Sequence, residues 1–369
     1  MLELFRGIMA IDIRSSIMIL IGLGLIYLAI KKEYEPALLL PIGFGTILAN
    51  LPLSEIVGVI SPHGAMKILF DFGIATELFP LLIFIAIGAM IDFTPLLTNP
   101  LMLLFGAAAQ FGIFFTICLA ALLGFPIKEA ASIGIIGAAD GPTSIYVASK
   151  FAKDLLGPIS VAAYSYMALV PIIQPPIVKL LTSKDERKIR MSYNTGDIPR
   201  SVKIIFPIMI TILAGLIAPE SAALIGFLMF GNLIRECGVL ESLSLTAQKE
   251  LGNLVTILLG IAIAATMTGD RFLQPKTLLI MSLGLVAFIF DTAGGVLFAK
   301  LLNLFLKKKI NPMIGACGIS AFPMSARVIH KMGQKEDPFN FLLMPAVSAN
   351  VAGQIGSVVA GGIILALLS

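Results

Sequence analysis

Residues 137–150 read GAADGPTSIYVASK, so one carboxylate, Asp140, stands in otherwise apolar sequence and is followed at once by the helix-breaking pair Gly141-Pro142. Breaking a helix there frees backbone carbonyls and amides at a depth where lipid offers no partner, so they must line a polar cavity or hold an ion. Thr143 and Ser144 add hydroxyl oxygens within the same turn. Carboxylate, carbonyl and hydroxyl oxygens suit hard cations such as sodium, and an intramembrane acid beside a helix break marks an ion site. The competing reading is structural: Asp140 caps a helix whose first turn holds Pro142.

The same frame returns at 318–331 as GISAFPMSARVIHK, 181 residues on, with Ala321 in place of the acid and Arg327 added. Arg327 can balance Asp140, bind an anionic substrate or snorkel to the interface. A late run, SANVAGQIGS at 348–357, sets Asn350 and Ser357 seven residues apart, two helical turns and thus one face, with Gly353 between them to let another helix approach. Its first-half counterpart, Tyr164 to Pro176, offers Tyr166 and Gln174 in a helix broken by prolines. Tyr166 reads as an aromatic interface anchor or as a proton carrier. Asp92, close to Pro95, reads as a helix end. Asp291, in IFDTAGG, reads as a further ion ligand or a polar contact between helices.

The elements that must position these groups are membrane helices. The 369 residues are 58% hydrophobic and 13% charged, with mean hydropathy +0.99, beyond what a soluble chain of this length sustains. Apolar stretches of about 20 residues, each enough to cross a bilayer, recur from end to end. Arg14 precedes the first of them and Lys31-Lys32 follow it without a small-residue cleavage site, so it reads as a membrane helix and not a cleaved signal. The net charge of +4 fits loops held on one side of a membrane and does not suggest a nucleic-acid partner. Cys118, Cys237 and Cys317 are widely spaced in apolar sequence and read as buried, inert thiols. His63 and His330 lack the neighbours for a zinc site and read as surface or interfacial.

At the offset of 181, Ile133, Gly134, Gly137, Pro142, Ser144, Val147 and Lys150 meet Ile314, Gly315, Gly318, Pro323, Ser325, Val328 and Lys331. At 183, Pro36, Ile42, Gly43 and Phe44 meet Pro219, Ile225, Gly226 and Phe227. Such self-similarity predicts an all-α polytopic membrane protein of two structural repeats, inverted with respect to each other, with two discontinuous helices, about ten to twelve transmembrane segments and an elevator-like core and scaffold. The first repeat is placed at 1–185, a basic cytoplasmic linker at 186–200 and the second repeat at 201–369. The segment Leu53 to Leu78, which holds Pro62, His63, Lys67 and Asp71, crosses, re-enters or lies in the interface.

Four blocks, GAADGPTSIY at 137–146, YMALVPIIQPP at 166–176, ACGISAFPMSARV at 316–328 and NVAGQIGS at 350–357, resemble the beta subunits of the biotin-dependent, sodium-pumping decarboxylases. The resemblance implies a multi-pass subunit of a bacterial or archaeal cytoplasmic membrane. Such a subunit takes carboxybiotin from a biotin carrier protein, releases carbon dioxide and drives sodium outward. Implied partners are that carrier, a carboxyltransferase alpha subunit, a small membrane gamma or delta subunit, and further copies of the chain. Carried over by motif, Asp140 and Tyr166 take catalytic roles and Asp140, Asn350, Gly353 and Ser357 the sodium; the residue reading adds Arg327 to the catalytic set and Thr143 to the sodium set. The length tilts the expectation toward the glutaconyl-CoA or methylmalonyl-CoA type. The rival readings are a sodium/proton antiporter without covalent chemistry and a structural anchor for soluble partners.

Overall fold

A computed structural model describes residues 10–33, 36–52, 64–191, 197–217, 219–321 and 324–369, and every regular element among them is helical. Among the described residues five helices are long and apolar enough to cross a membrane: Ile13–Lys31, Pro100–Leu122, Glu241–Ala264, Pro275–Phe305 and Leu343–Leu368. Two bent pairs, Ala65–Ile74 with Leu78–Met90 (62°) and Lys153–Met167 with Leu169–Leu181 (65°), raise the count to seven. The shorter helices Pro36–Ala49, Arg200–Ile217 and Ala222–Glu236 pack among them. The chain is thus a multi-pass helical membrane protein.

Both predicted breaks fold as hairpins. In the first, the helix Ile127–Gly134 tightens into a 3-10 turn, Ile135–Ala138; Ala139 then turns left-handed (φ 51°) and Asp140 is extended ahead of the helix Gly141–Phe151. The Lys128 ammonium lies 5.2 Å over the Phe151 ring, so the two arms end together. In the second, the 3-10 segment Pro312–Gly318 leads to the helix Met324–Glu336. Its two ends also meet: the amides of Asn311 and Asn340 both donate to the Arg187 carbonyl at 2.9 Å, and the Arg187 guanidinium donates to Glu336 at 2.7 Å.

The two hairpins share internal detail. Ser144 Oγ donates to the Ile135 carbonyl at 3.5 Å, and Ser325 Oγ to the Ala316 carbonyl at 3.2 Å, the same bond 181 residues apart. Pro323, one of the matched positions, lies outside the described residues, as do Pro62 and His63. The described part of the segment that holds them joins the first bent pair, where Lys67 pairs with Asp71. A second correspondence, with no compositional signature, is a π-helical turn at Phe70–Ile74 and another at Ala247–Leu251.

The long helix Pro275–Phe305 runs behind both hairpins, with Ala287 against Gly137 and Gly295 against Gly315. Lipid tails are as apolar as leucine, so such contacts hold by close packing of small residues. Asp291, on the same helix, accepts from the Ile113 amide at 3.1 Å and is thereby a polar contact between helices. Asp92 accepts from the Thr94 amide at 2.9 Å just past the helix Leu78–Met90, the helix end expected of it.

The thiols correct one expectation. Only Cys317 is buried; Cys237 is half-buried and Cys118 exposed. On the helix Phe111–Leu122 the inward face carries Gly112, Thr116 and Ala120, and Cys118, two residues from Thr116, points the opposite way. His330 is half-buried beside the Phe341 ring, and no cluster of metal-ligating side chains occurs among the described residues.

The described part of the linker docks on the second hairpin. Asp337 accepts from Arg190 Nε at 2.6 Å and from the Phe339 amide at 3.0 Å. These bonds hold its carboxyl below the usual 3.8. A depressed value in the folded state means the contact contributes fully above about pH 4 and is lost as pH falls through the lower folded value. Acidification to pH 3, or D337N at pH 7, should therefore speed protease cleavage within 184–191 severalfold without loss of helix content. Unchanged cleavage under both conditions would show that the linker is held by its other contacts, at Arg187, Ile189 and Glu186, without Asp337.

Candidate functional site

The hairpin tips touch: the Ser320 amide donates to the Ala138 carbonyl at 2.8 Å. That contact brings Ser320 to Asp140, which the sequence keeps 180 residues apart. Asp140 is buried at 3% exposure. One of its oxygens accepts from three hydroxyls, Thr143 (2.8 Å), Ser320 (3.1 Å) and Ser357 (2.6 Å). The other accepts from the Thr143 amide at 3.2 Å, so Asp140 also caps the helix Gly141–Phe151, with Pro142 in its first turn. Capping and the cluster thus coexist, because a carboxylate has two oxygens and about four lone-pair sites.

The helix Leu343–Leu368 completes the cluster. The Asn350 amide donates to the Ile319 carbonyl at 2.7 Å and to the Cys317 carbonyl at 3.3 Å, and the Gln354 amide donates to the Ser320 carbonyl. These bonds satisfy carbonyls that the break in the second hairpin leaves without helical partners. The side-chain oxygens of Asn350 and Gln354 are buried and have no hydrogen-bond partner among the described residues. Two orphaned acceptor oxygens beside a carboxylate and three hydroxyls are a donor set suited to a sodium ion, since each hydroxyl can turn a lone pair toward a cation. Gly353 brings no side-chain oxygen. A Cβ there would stand 2.4 Å from the Ile319 carbonyl oxygen and 2.5 Å from that of Gly318, so glycine is what lets this helix touch the broken tip.

Arg327 and Tyr166 lie apart from this cluster. Arg327 is exposed and lines a groove of about 350 Å³ with Lys179, Lys331, Lys335, Pro171 and Pro175. Arg327, Lys331 and Lys335 follow each other at i+4 and share one helical face, a spacing visible in the sequence but overshadowed by the search for acids. The Tyr166 hydroxyl donates to the Met281 carbonyl, and its ring packs on Gly284 of the long helix. Tyr164, two residues earlier and about 200° around the helix, is the tyrosine that faces Asp140: its ring lies against Gly141 and lines a cavity of about 290 Å³ that reaches Asp140, Ser320 and Gln354.

A buried carboxylate ringed by hydroxyls at the crossing of two broken hairpins defines the class as an ion-translocating membrane protein. The family described as the sodium-transporting oxaloacetate decarboxylase beta subunit matches residues 14–368, and the chain belongs to that family. It is 53% identical over 362 residues to the glutaconyl-CoA decarboxylase subunit beta of Acidaminococcus fermentans, covering 98% of this chain and 95% of that protein. To the methylmalonyl-CoA decarboxylase subunit beta of Propionigenium modestum it is 51% identical over 383 residues, covering 98% and 96%. The oxaloacetate decarboxylase beta chain 2 of Salmonella typhi is 46% identical over 417 residues, covering 97% and 96%.

Proposed function

We propose that this chain is the membrane subunit that couples decarboxylation of carboxybiotin to outward movement of sodium, with Asp140, Thr143, Ser320, Asn350 and Ser357 as the sodium-binding group. The observation that carries the reading is the convergence of three hydroxyls on one buried carboxylate beside two unpartnered amide oxygens. Sodium is the cargo. Carboxybiotin, brought by a biotin carrier protein that a carboxyltransferase alpha subunit loads, supplies a favourable decarboxylation: the carbon–nitrogen bond breaks, carbon dioxide leaves and the ureido nitrogen takes a proton.

The groove around Arg327 suits that anionic group, because four cationic side chains outnumber its one carboxylate, Glu336, which pairs with Arg187, and Arg327 presents a planar fork of donors to a carboxylate. Tyr166 enters as a proton carrier beside the long helix, a role that requires its bond to the Met281 carbonyl to open. The higher identity to the acyl-CoA decarboxylase subunits favours an acyl-CoA, glutaconyl or methylmalonyl, as the substrate processed upstream. A small membrane gamma or delta subunit and further copies of the chain complete the complex.

The topology follows from which ends meet. The basic linker marks the cytoplasmic side, and both arms of the second hairpin return to it through Arg187, Asn311 and Asn340. Lys276, at the opposite end of the long helix, pairs with Glu129 at 2.6 Å, so the first hairpin enters from outside. Two hairpins entering from opposite faces support inverted repeats, with residues 1–185 and 201–369 proposed as the two units. The hairpins and the long helix then move as a core against a scaffold built from the other helices.

The test uses proteoliposomes and free carboxybiotin. Decarboxylation should require sodium and move it, and N350A and S357A should each raise the sodium concentration for half-maximal rate about tenfold, the worth of one charge-linked hydrogen bond. Sodium flux driven by a proton gradient alone, with no response to carboxybiotin, would instead establish the antiporter; relatives named as decarboxylase subunits weigh against that outcome.

A further inference from the structure

The cavity at Asp140 has a second wall that the sodium cluster does not use. It is formed by the helices Pro36–Ala49 and Leu78–Met90, which contribute Ala37, Leu38, Ile83 and Met90, and by Glu241–Ala264. The first two offer only apolar side chains. The third offers Gln248, Asn253 and Thr256, with Gly252 among them. This polar ridge begins inside the π-helical turn Ala247–Leu251, where the widened backbone changes which side chains face inward. Such turns occur frequently at functional positions.

The ridge presents oxygens. The Gln248 amide donates to Ser244 Oγ at 2.9 Å, which leaves its carbonyl oxygen without a hydrogen bond among the described residues. The Thr256 hydroxyl donates to the Gly252 carbonyl at 2.7 Å, which leaves its lone pairs for another partner. Across the cavity stand Asp140, Ser320 and Gln354, whose side-chain oxygen is buried and has no partner among the described residues. The space, about 290 Å³, equals the liquid volume of on the order of ten waters, enough for a small cation with part of its hydration shell. It extends to Met90 and Ile91, whose surroundings lead back to the linker: Arg235 donates to the Met90 carbonyl at 2.9 Å, and Arg200 donates to the Cys237 carbonyl.

We propose that Gln248, Asn253 and Thr256 form a transit half-site on the scaffold, where a partly hydrated sodium ion arriving from the linker side exchanges water for protein oxygens before Asp140 takes it. The inference rests on the sodium-coupled reading above. A wall of only alanine, leucine and isoleucine would require the ion to shed its water without replacement. The ridge removes that step and sets the apparent affinity for sodium from one side of the membrane.

The experiment compares wild type, the triple variant Gln248→Leu, Asn253→Leu, Thr256→Val, and the single variant Gln248→Glu in proteoliposomes, with free carboxybiotin as substrate and sodium varied. The triple variant should need five- to tenfold more sodium for half-maximal rate and reach nearly the same rate at saturation. Q248E should need less sodium than wild type, and it decides the matter if the triple variant does not fold. Unchanged sodium dependence in a folded triple variant, or in Q248E, overturns the proposal. So does a rise in the carboxybiotin KM alone, which would assign the ridge to the ureido ring. Wild type that turns over without sodium would instead refute the sodium-coupled reading.

Discussion

Asp140→Asn should abolish sodium-dependent decarboxylation. Asparagine keeps the size of the side chain, and its carbonyl oxygen can still cap the Thr143 amide, so the hairpin should fold and the variant should melt close to wild type. What it loses is the anion on which Thr143, Ser320 and Ser357 converge. A hydrogen bond to a charged group contributes about 1.5–3 kcal/mol and each 1.4 kcal/mol is tenfold, so removing the charge from a cluster of three should lower turnover by roughly three to six orders of magnitude. Asp140→Ala should do the same. Sodium-stimulated turnover within tenfold of wild type in either variant, assayed with free carboxybiotin, would show that Asp140 is only a helix cap.

Gly353→Ala is the second large effect, and it arises from one methyl group. The added carbon would stand 2.4 and 2.5 Å from two backbone oxygens of the second hairpin tip, and backbone cannot swing aside as a side chain can. The tip must back away from the helix Leu343–Leu368, carrying Ser320 with it and stretching the bonds of Asn350 and Gln354. A displacement near 1 Å at such a site costs about a hundredfold in rate. The expected result is a hundredfold loss of turnover with a raised sodium requirement. Gly24→Ala, where an added carbon meets nothing within 4 Å, is the matched control. Wild-type kinetics in Gly353→Ala would remove close packing at the tip from the account.

Much of this site was legible in the chain. Asp140 announces itself as a charge beside a helix break, and the seven-residue spacing of Asn350 and Ser357 places both toward the broken tip. The likeness of the two hairpins was legible too, since the serine bonds at Ser144 and Ser325 sit at the offset the alignment gives. Ser320 was not. A small hydroxyl next to Ala321 resembles any other until the tips cross, and that crossing depends on a contact between segments 180 residues apart. Tyr164 escaped for a different reason: Tyr164 and Tyr166 differ only in which side of one helix they occupy, and the phase of a helix broken by prolines cannot be read from its letters. The π-helical turn that begins the Gln248 ridge has no residue signature at all.

The unequal hairpins have an electrical consequence. A single carboxylate stands where the two tips cross, because Ala321 occupies the equivalent place in the second hairpin. Under the sodium-coupled reading, one sodium leaves that centre neutral and its departure leaves one negative charge. Membrane voltage then does little to the loaded passage and acts on the return of the bare carboxylate, by up to about 2.3 kcal/mol per 100 mV for a full traverse. A pump built this way feels the voltage it generates mainly after its cargo has gone.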